Sequence, residues 1–98
     1  MARYDVYDNP VESGLLLDVQ SDILADYSTR VVVPLVPKSG DDAAYRLNPV
    51  FEIGEREWVM YTQHLSAVPG AALKNKIANM TPEHDRIVAA LDMLFHGF

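Results

Sequence analysis

The order of apolar and polar residues along the chain predicts several short strands first and one helix last. Apolar and polar side chains alternate over residues 3–8, as they do in a half-buried strand. Residues 15–19 form a second apolar run, and the turn-forming residues 9–14 lie between the two runs. These features predict a β-hairpin with a long loop.

The strongest strand signal lies in residues 29–36, where four valines and one leucine favour an extended segment with little exposure. Pro34 interrupts that run and has no backbone N–H, so we expect a sheet edge or a bulge there. Residues 49–53 and 57–60 flank a turn that contains glycine. They predict a second hairpin, with Trp58 in the core.

The segments between these strands carry weaker signals. Residues 22–28 are polar enough for a surface loop, in which the adjacent Ile23 and Leu24 either place one side chain inward or display both. Residues 37–44 are the most loop-like part of the chain. Residues 71–79 are ambiguous, because Leu73 and Ile77 suit a helical turn but a strand over Ala72–Leu73 is also possible.

The last segment, residues 81–98, is predicted to form a helix. Thr81 suits the N-cap, Pro82 suits the first helical position, and Gly97 stands where a helix is expected to end. The spacing gives the helix two faces. The apolar face consists of Ile87, Leu91, Leu94, Phe95 and Phe98, and the weakly polar face of Asp85, Ala89, Asp92 and His96.

The end of this predicted helix has two interpretations. The sequence stops within the last helical turn, so Asp92, Phe95, His96, Gly97 and Phe98 are expected to meet a partner directly. In the alternative, the apolar face packs on a sheet and the tip of the helix only frays.

Strands followed by a terminal helix indicate an α+β fold, here as one domain over residues 1–98. A chain of 98 residues buries a modest share of its surface, which favours a homodimer. The net charge of -6 disfavours direct binding to nucleic acid. The chain has no cysteine, no apolar leader and no run long enough to cross a membrane, so we expect a cytoplasmic protein.

Residues that could carry chemistry are sparse. His64, His84 and His96 are isolated from one another, so no metal site is expected. Ser66 and Asp18 complete a formal triad with His64, but any chain of this length offers such a trio. We therefore assign no catalytic residue and no cofactor, which favours a binding protein over an enzyme.

Several segments resemble the CcdB toxin family. LDVQSDIL at residues 17–24 resembles the family's VDVQSDII block. RVVVPL at 30–35, PVFEIG at 49–54 and the ending LFHGF at 94–98 match in the same order. The likeness covers nearly the whole chain.

The resemblance implies an SH3-like barrel of the CcdB and MazF toxin type, with a mainly antiparallel sheet, a small second sheet and the C-terminal helix. It implies a cytoplasmic homodimer that binds the GyrA subunit of DNA gyrase and traps the cleaved-DNA complex. A CcdA-like antitoxin would neutralise the toxin and join it in repressing their operon. The antitoxin would supply the DNA contacts.

The family's gyrase-contacting positions fall on Ile23, Leu24, Asp92, Phe95, His96, Gly97 and Phe98. His96 stands where the best-known family ending has tryptophan, Phe98 where it has isoleucine, and Asp92 where asparagine is usual. A histidine offers a partner arginine a smaller aromatic face than tryptophan does. The gyrase contact is therefore expected to be altered, directed at a different gyrase, or lost.

The resemblance also implies an antitoxin-facing surface on two loops. It comprises Asp8, Asn9 and Glu12 in the first hairpin loop, and Lys38 and Arg46 in the long loop. The first loop is basic in the well-known family member, but here it contains no Lys or Arg. We therefore expect a cognate antitoxin with a different charge pattern.

Two alternatives stay open. One is a protein of the same fold that binds antitoxin but has lost or altered gyrase poisoning. The other is a MazF-like endoribonuclease, which needs cations grouped in an RNA groove. The sparse Lys and Arg argue against the ribonuclease, and substitution of Arg30 would test it.

Overall fold

The computed structural model of the chain describes residues 1–40 and 45–97. In that part of the chain the strands precede the only α-helix, which confirms the α+β class. The strands are β1 (Asp5–Asp8), β2 (Leu15–Asp18), β3 (Thr29–Pro37), β4 (Val50–Ile53), β5 (Arg56–Met60), β6 (Ser66–Pro69) and β7 (Lys76–Asn79), and the helix is α1 (His84–His96). Short 3-10 turns lie at Asp22–Leu24, Thr62–His64, Gly70–Ala72 and Thr81–Glu83.

The strands form one curled antiparallel sheet in the order β4-β5-β3-β2-β1-β7. β3 is central, because it pairs with β2 along one edge and with both β6 and β5 along the other. The curled sheet with its terminal helix agrees with the expected fold. The expected small second sheet is not a separate sheet among the described residues. β3 is nine residues long, and β5 and β6 pair end to end along one of its edges, which joins all the strands in one sheet.

The expectation of a sheet edge or bulge at Pro34 is wrong. β3 pairs with strands on both sides, and Pro34 lies opposite Leu16 of β2 without a register shift. The Pro34 carbonyl accepts the Tyr61 N–H at 3.0 Å. The N–H and C=O of one strand residue point to the same side, so the position of the missing N–H faces the gap between β5 and β6. No ladder bond is lost there, because neither of those strands pairs with Pro34.

Both hairpins are confirmed, and β1 is more deeply buried than its alternation predicts. Tyr7 is only 5% exposed and packs with Leu16, Val32 and Leu73 on the sheet face opposite the main core. The ambiguous residues 71–79 contain a strand, but it is β7 at Lys76–Asn79 rather than at Ala72–Leu73, and it pairs with β1. The predicted core residue Trp58 is half-buried against the main core.

The helix α1 begins later than predicted. Thr81 does not cap it, because Thr81–Glu83 form a 3-10 turn and the α-helix starts at His84. The Asn79 side-chain oxygen accepts the Thr81 N–H at 3.0 Å, and the N-cap residue of α1, Glu83, makes no side-chain capping bond. Gly97 ends the helix in the left-handed region, at φ 78°, as predicted.

The first half of α1 holds the helix on the sheet. Ile87 and Ala90 are fully buried in the main core, and Leu91 packs against it. The buried stripe differs from the predicted apolar face, because it includes Ala90 and leaves out Phe95, which excludes the alternative in which the whole face packs on the sheet. The buried positions lie within the first two turns of the helix.

Two polar contacts reinforce this attachment. The hydroxyl of Tyr4, which lies just before β1, is 2.6 Å from Nδ1 of His84. Arg86 donates to the Val50 carbonyl at 2.8 Å. Both contacts lie at the N-terminal end of α1, so they fix the direction in which the C-terminal end projects.

A buried ion pair lies between β2 and β3. Arg30 Nε donates to Asp18 Oδ2 at 2.8 Å, and Nη2 lies 2.7 Å from the same oxygen, although without hydrogen-bond alignment. The Arg30 and Asp18 side chains are 2% and 0% exposed. Burial raises the pKa of Asp18, an effect that hydrogen bonds from Arg30 and Gln20 only partly offset. The pair therefore carries a desolvation cost.

We expect Arg30→Ala to lower the free energy of unfolding by about 3–5 kcal/mol, because it leaves the Asp18 carboxylate buried without its cation. Urea denaturation at fixed protein concentration measures this loss. The double variant Asp18→Leu/Arg30→Met serves as the control, because it removes both charges and should recover most of the stability. A single variant as stable as the wild type would contradict the prediction.

Asp5 makes stability depend on pH in the acid range. Burial alone raises the pKa of Asp5, but four hydrogen bonds outweigh it and hold the pKa below its ordinary value. The donors are Asn79, the Ala2 N–H, Lys76 and Tyr7. The stabilisation is complete above the unfolded-state pKa of about 3.9 and is lost as the pH falls toward the lower folded-state pKa.

We expect Asp5→Asn to flatten the acid limb of the stability curve, because the variant has no carboxylate to protonate on unfolding. Urea titrations between about pH 6 and 2 test this, with pH chosen to span the Asp5 transition. Glu55→Gln, at the exposed turn between β4 and β5, is the matched control and should leave the slope unchanged. Parallel curves for Asp5→Asn and the wild type would refute the role of Asp5.

Candidate functional site

The C-terminal end of α1 projects beyond the core. Phe95 is 62% exposed, His96 and Gly97 are exposed, and Asp92 is half-buried. The structure therefore brings these four candidate residues together on the last turn, and Phe98 lies outside the described residues. An exposed tip is the arrangement that the partner-binding interpretation requires.

Gly97 shapes the tip through its backbone. Its N–H donates to the Met93 carbonyl at 3.1 Å, which closes the helix. A Cβ at Gly97 would have no described heavy atom outside its chain neighbours within 4 Å. The requirement for glycine within the chain is therefore conformational, and the absent side chain leaves room for a partner.

Ile23 and Leu24 form a second exposed apolar group on the 3-10 turn Asp22–Leu24. The Ser21 hydroxyl oxygen accepts the Ile23 N–H at 3.3 Å, and the Gln20 side-chain amide donates to the Leu24 carbonyl at 3.0 Å. Ile23 is 90% exposed and Leu24 is 41% exposed. Both side chains are thus displayed, which decides between the two arrangements that the sequence permits.

Exposed apolar side chains concentrate at the candidate positions. Among residues 1–40 and 45–97, the large hydrophobic residues that are exposed number eight: Met1, Val11, Ile23, Leu24, Tyr27, Tyr45, Ile77 and Phe95. Three of them occupy positions implied for gyrase contact. Two others, Val11 and Tyr45, lie within the loops implied for antitoxin contact.

The first hairpin loop is ordered by local hydrogen bonds. The Asn9 side-chain oxygen accepts the N–H groups of Val11 and Glu12 at 3.0 and 3.2 Å. At Gly14, φ is 131° and an added Cβ would lie 2.8 Å from the Leu35 carbonyl oxygen, so only glycine fits there. The loop therefore presents Asn9 and Glu12 in a defined geometry.

A cavity of about 280 Å³ lies between this loop and β6. Its walls are mainly apolar, with His64 and Ser66 on one side and Asn9 and Glu12 on the other. The lining residues are Asn9, Pro10, Val11, Glu12, Leu16, Pro34, His64, Ser66 and Val68. Asp8 does not line the cavity; it is exposed at the end of β1 and accepts from the Asn75 amide at 3.2 Å.

The residues implied on the long loop lie in different settings. Lys38 is half-buried, and its N–H donates to the Glu57 carbonyl at 3.0 Å. Arg46 is exposed and lines a second cavity of about 150 Å³ together with Tyr45, Pro49, Arg86 and Ala89. Sequence reasoning missed Arg86, because nothing in its local pattern predicts proximity to a residue forty positions earlier. Residues 41–44 lie outside the described part of the chain.

The structure does not assemble the formal triad. Asp18 bonds Arg30 and Gln20 rather than His64. Arg30 is buried in its ion pair, so it is not available to an RNA backbone, and the ribonuclease alternative loses the residue proposed to test it. The described residues contain no group of three or more potential metal ligands. Within the same residues, no helix is long and apolar enough to span a bilayer.

We expect the two ends of α1 to differ in their contribution to stability. Ile87→Ala creates a cavity in the core and should cost about 2–5 kcal/mol. Phe95→Ala changes an exposed residue and should stay within about 0.5 kcal/mol of the wild type. Urea denaturation of both variants at equal protein concentration makes the comparison, and equal losses would show that the tip is part of the core.

Comparison with models of protein families identifies the chain. Residues 3–97 match the family described as CcdB protein, so the match leaves out only three of the 98 residues. The curled antiparallel sheet and the C-terminal helix agree with this family's fold. The chain therefore belongs to the CcdB family, whose members are the toxins of toxin–antitoxin systems.

Proposed function

We propose that this toxin acts as a homodimer in the cytoplasm by binding the GyrA subunit of DNA gyrase and trapping the cleaved-DNA complex. A CcdA-like antitoxin neutralises it, and the two proteins together repress their operon. The toxin itself makes and breaks no covalent bond. It acts by binding one state of gyrase more tightly than the others and so raising the population of that state.

The observation that carries the proposal is the exposure of the α1 tip. Phe95 supplies an apolar surface that the chain's own core does not cover. Buried aromatic anchors contribute a large share of binding energy at protein interfaces. Gly97 allows close backbone approach, and Asp92 with His96 supplies polar groups that set specificity.

Ile23 and Leu24 extend the proposed gyrase surface. They are exposed although they are apolar, and several hydrogen bonds fix the turn that carries them. Exposed apolar groups of this kind mark interaction sites when they cluster. We therefore assign Ile23 and Leu24 to the gyrase contact as well.

The antitoxin is proposed to bind the two loops and their cavities. The first loop presents Asp8, Asn9 and Glu12, and the second region presents Lys38 and Arg46. The antitoxin also supplies the operator contacts, because a net charge of -6 opposes binding of this chain to phosphate.

We expect the purified toxin to convert supercoiled plasmid to linear DNA in the presence of ATP and gyrase from the source organism, after detergent and protease treatment. Phe95→Ser should weaken trapping by at least about tenfold, because it removes an apolar anchor. The amount of linear DNA across a toxin titration is the measurement. Ile77→Ser is the matched control, since Ile77 is 47% exposed on β7 and lies outside the proposed surfaces.

Two results would count against this proposal. Absence of both trapping and GyrA binding by a folded wild-type protein would favour the homologue that retains only antitoxin binding. Equal loss of trapping in Phe95→Ser and Ile77→Ser would show a general effect of lost surface hydrophobicity. Growth after expression without antitoxin separates an active toxin from an inert one.

A further inference from the structure

The smaller cavity combines two cations with an apolar wall. Arg46 and Arg86 line it together with Tyr45, Pro49 and Ala89. Its volume of about 150 Å³ is comparable to that of a cavity that encloses one benzene-sized group. It is therefore large enough for one side chain of a partner.

Arg86 is held in a fixed orientation. Its Nη2 donates to the Val50 carbonyl at 2.8 Å, and its Nη1 donates to Glu83 Oε1 at 3.0 Å. The guanidinium carbon lies 4.9 Å from the centre of the Phe51 ring. A guanidinium has five N–H donors, so donors remain for a ligand, and the side chain is 48% exposed.

Arg46 brings an uncommitted positive charge to the same cavity. It is exposed, and no ion pair joins it to the described residues. Glu83 already pairs with Arg86, so Arg46 supplies the unpaired charge and Arg86 supplies its remaining N–H donors. Together they favour a carboxylate, because planar N–H forks match carboxylate oxygens and charge strengthens the bonds. The Tyr45, Pro49 and Ala89 surfaces suit the aliphatic part of a Glu or Asp side chain.

We infer that this cavity binds an acidic side chain from an extended segment of the antitoxin. The inference rests on the proposed function only in naming the antitoxin as the partner. It adds Arg86 and Ala89 of α1 to the recognition surface and gives the bound group a chemical class. The chain as a whole is acidic, so a local positive charge at this cavity would distinguish it from most of the surface for an acidic segment.

The test uses two acetylated and amidated ten-residue peptides, one alternating Glu and Leu and the other alternating Gln and Leu. Each is titrated into the full-length ¹⁵N-labelled protein while backbone and arginine side-chain resonances are followed by NMR. The Glu peptide should shift the resonances of Arg46 and Arg86, and the Gln peptide should bind at least about tenfold more weakly. Inorganic phosphate is titrated in parallel.

Two variants and one control assign the effect to the cavity. Arg46→Glu should weaken binding of the Glu peptide by about tenfold or more, because it replaces a positive charge with a negative one. Arg86→Lys should also weaken binding, because it keeps the charge but loses the planar fork of N–H donors. Lys74→Glu makes the same change of charge at an exposed position outside the cavity and should leave the affinity within about twofold. The Arg46 side chain has no hydrogen bond to another described residue, so its variant tests binding even if Arg86→Lys disturbs folding.

Several outcomes would overturn the inference. These are equal binding of the Gln peptide, shifts confined to the first hairpin loop, an equal effect of Lys74→Glu, or phosphate binding stronger than that of the Glu peptide. Gyrase does not enter this experiment. Failure of gyrase trapping would therefore leave a positive peptide result intact, and a negative peptide result would leave gyrase trapping untouched.

Discussion

The packing of Ile87 and Ala90 against the sheet is the interaction on which the remaining features depend. These residues are completely buried, and burial of a side chain such as Ile87 contributes roughly 1.5–3 kcal/mol. Since both lie in the first two turns of α1, the sheet holds the helix by one end. The backbone bond from Gly97 to Met93 closes the last turn, and Phe95 on that turn is exposed and offers apolar surface to another protein.

The same constraint explains how one small domain can present separate surfaces. The helix tip and the turn bearing Ile23 offer mainly apolar contact, whereas the first loop and the Arg46 region offer cavities with polar walls. Apolar contact gives affinity with little directional demand, and charged groups discriminate between partners. A toxin that must be recognised by a target and by a neutralising protein needs both kinds of surface.

Local sequence pattern predicted the strands and hairpins well, because alternation and turn residues act over a few positions. It failed at Pro34, where the outcome depends on which strands flank β3. It also placed a possible strand at Ala72–Leu73 rather than at β7, which pairs with β1 near the other end of the chain. It also left the setting of Phe95 open, because apolar spacing cannot distinguish a side chain that packs on the sheet from one that faces outward. The motif at the tip was readable from the sequence, whereas the approach of Arg86 to Arg46 required the folded structure.

The distribution of positive charge shows why a few residues can decide recognition. The chain has 8 Lys and Arg, but Arg30 lies in the core and Lys76 is 3.3 Å from Asp5. Arg56 lies over Trp58 on the β4–β5 hairpin. Arg86 is paired with Glu83, whereas Arg46 is exposed and has no ion pair with another described residue. In an acidic chain, an exposed guanidinium without such a pair produces a local region of positive potential, and a region of this kind favours an acidic group of a partner over a neutral one.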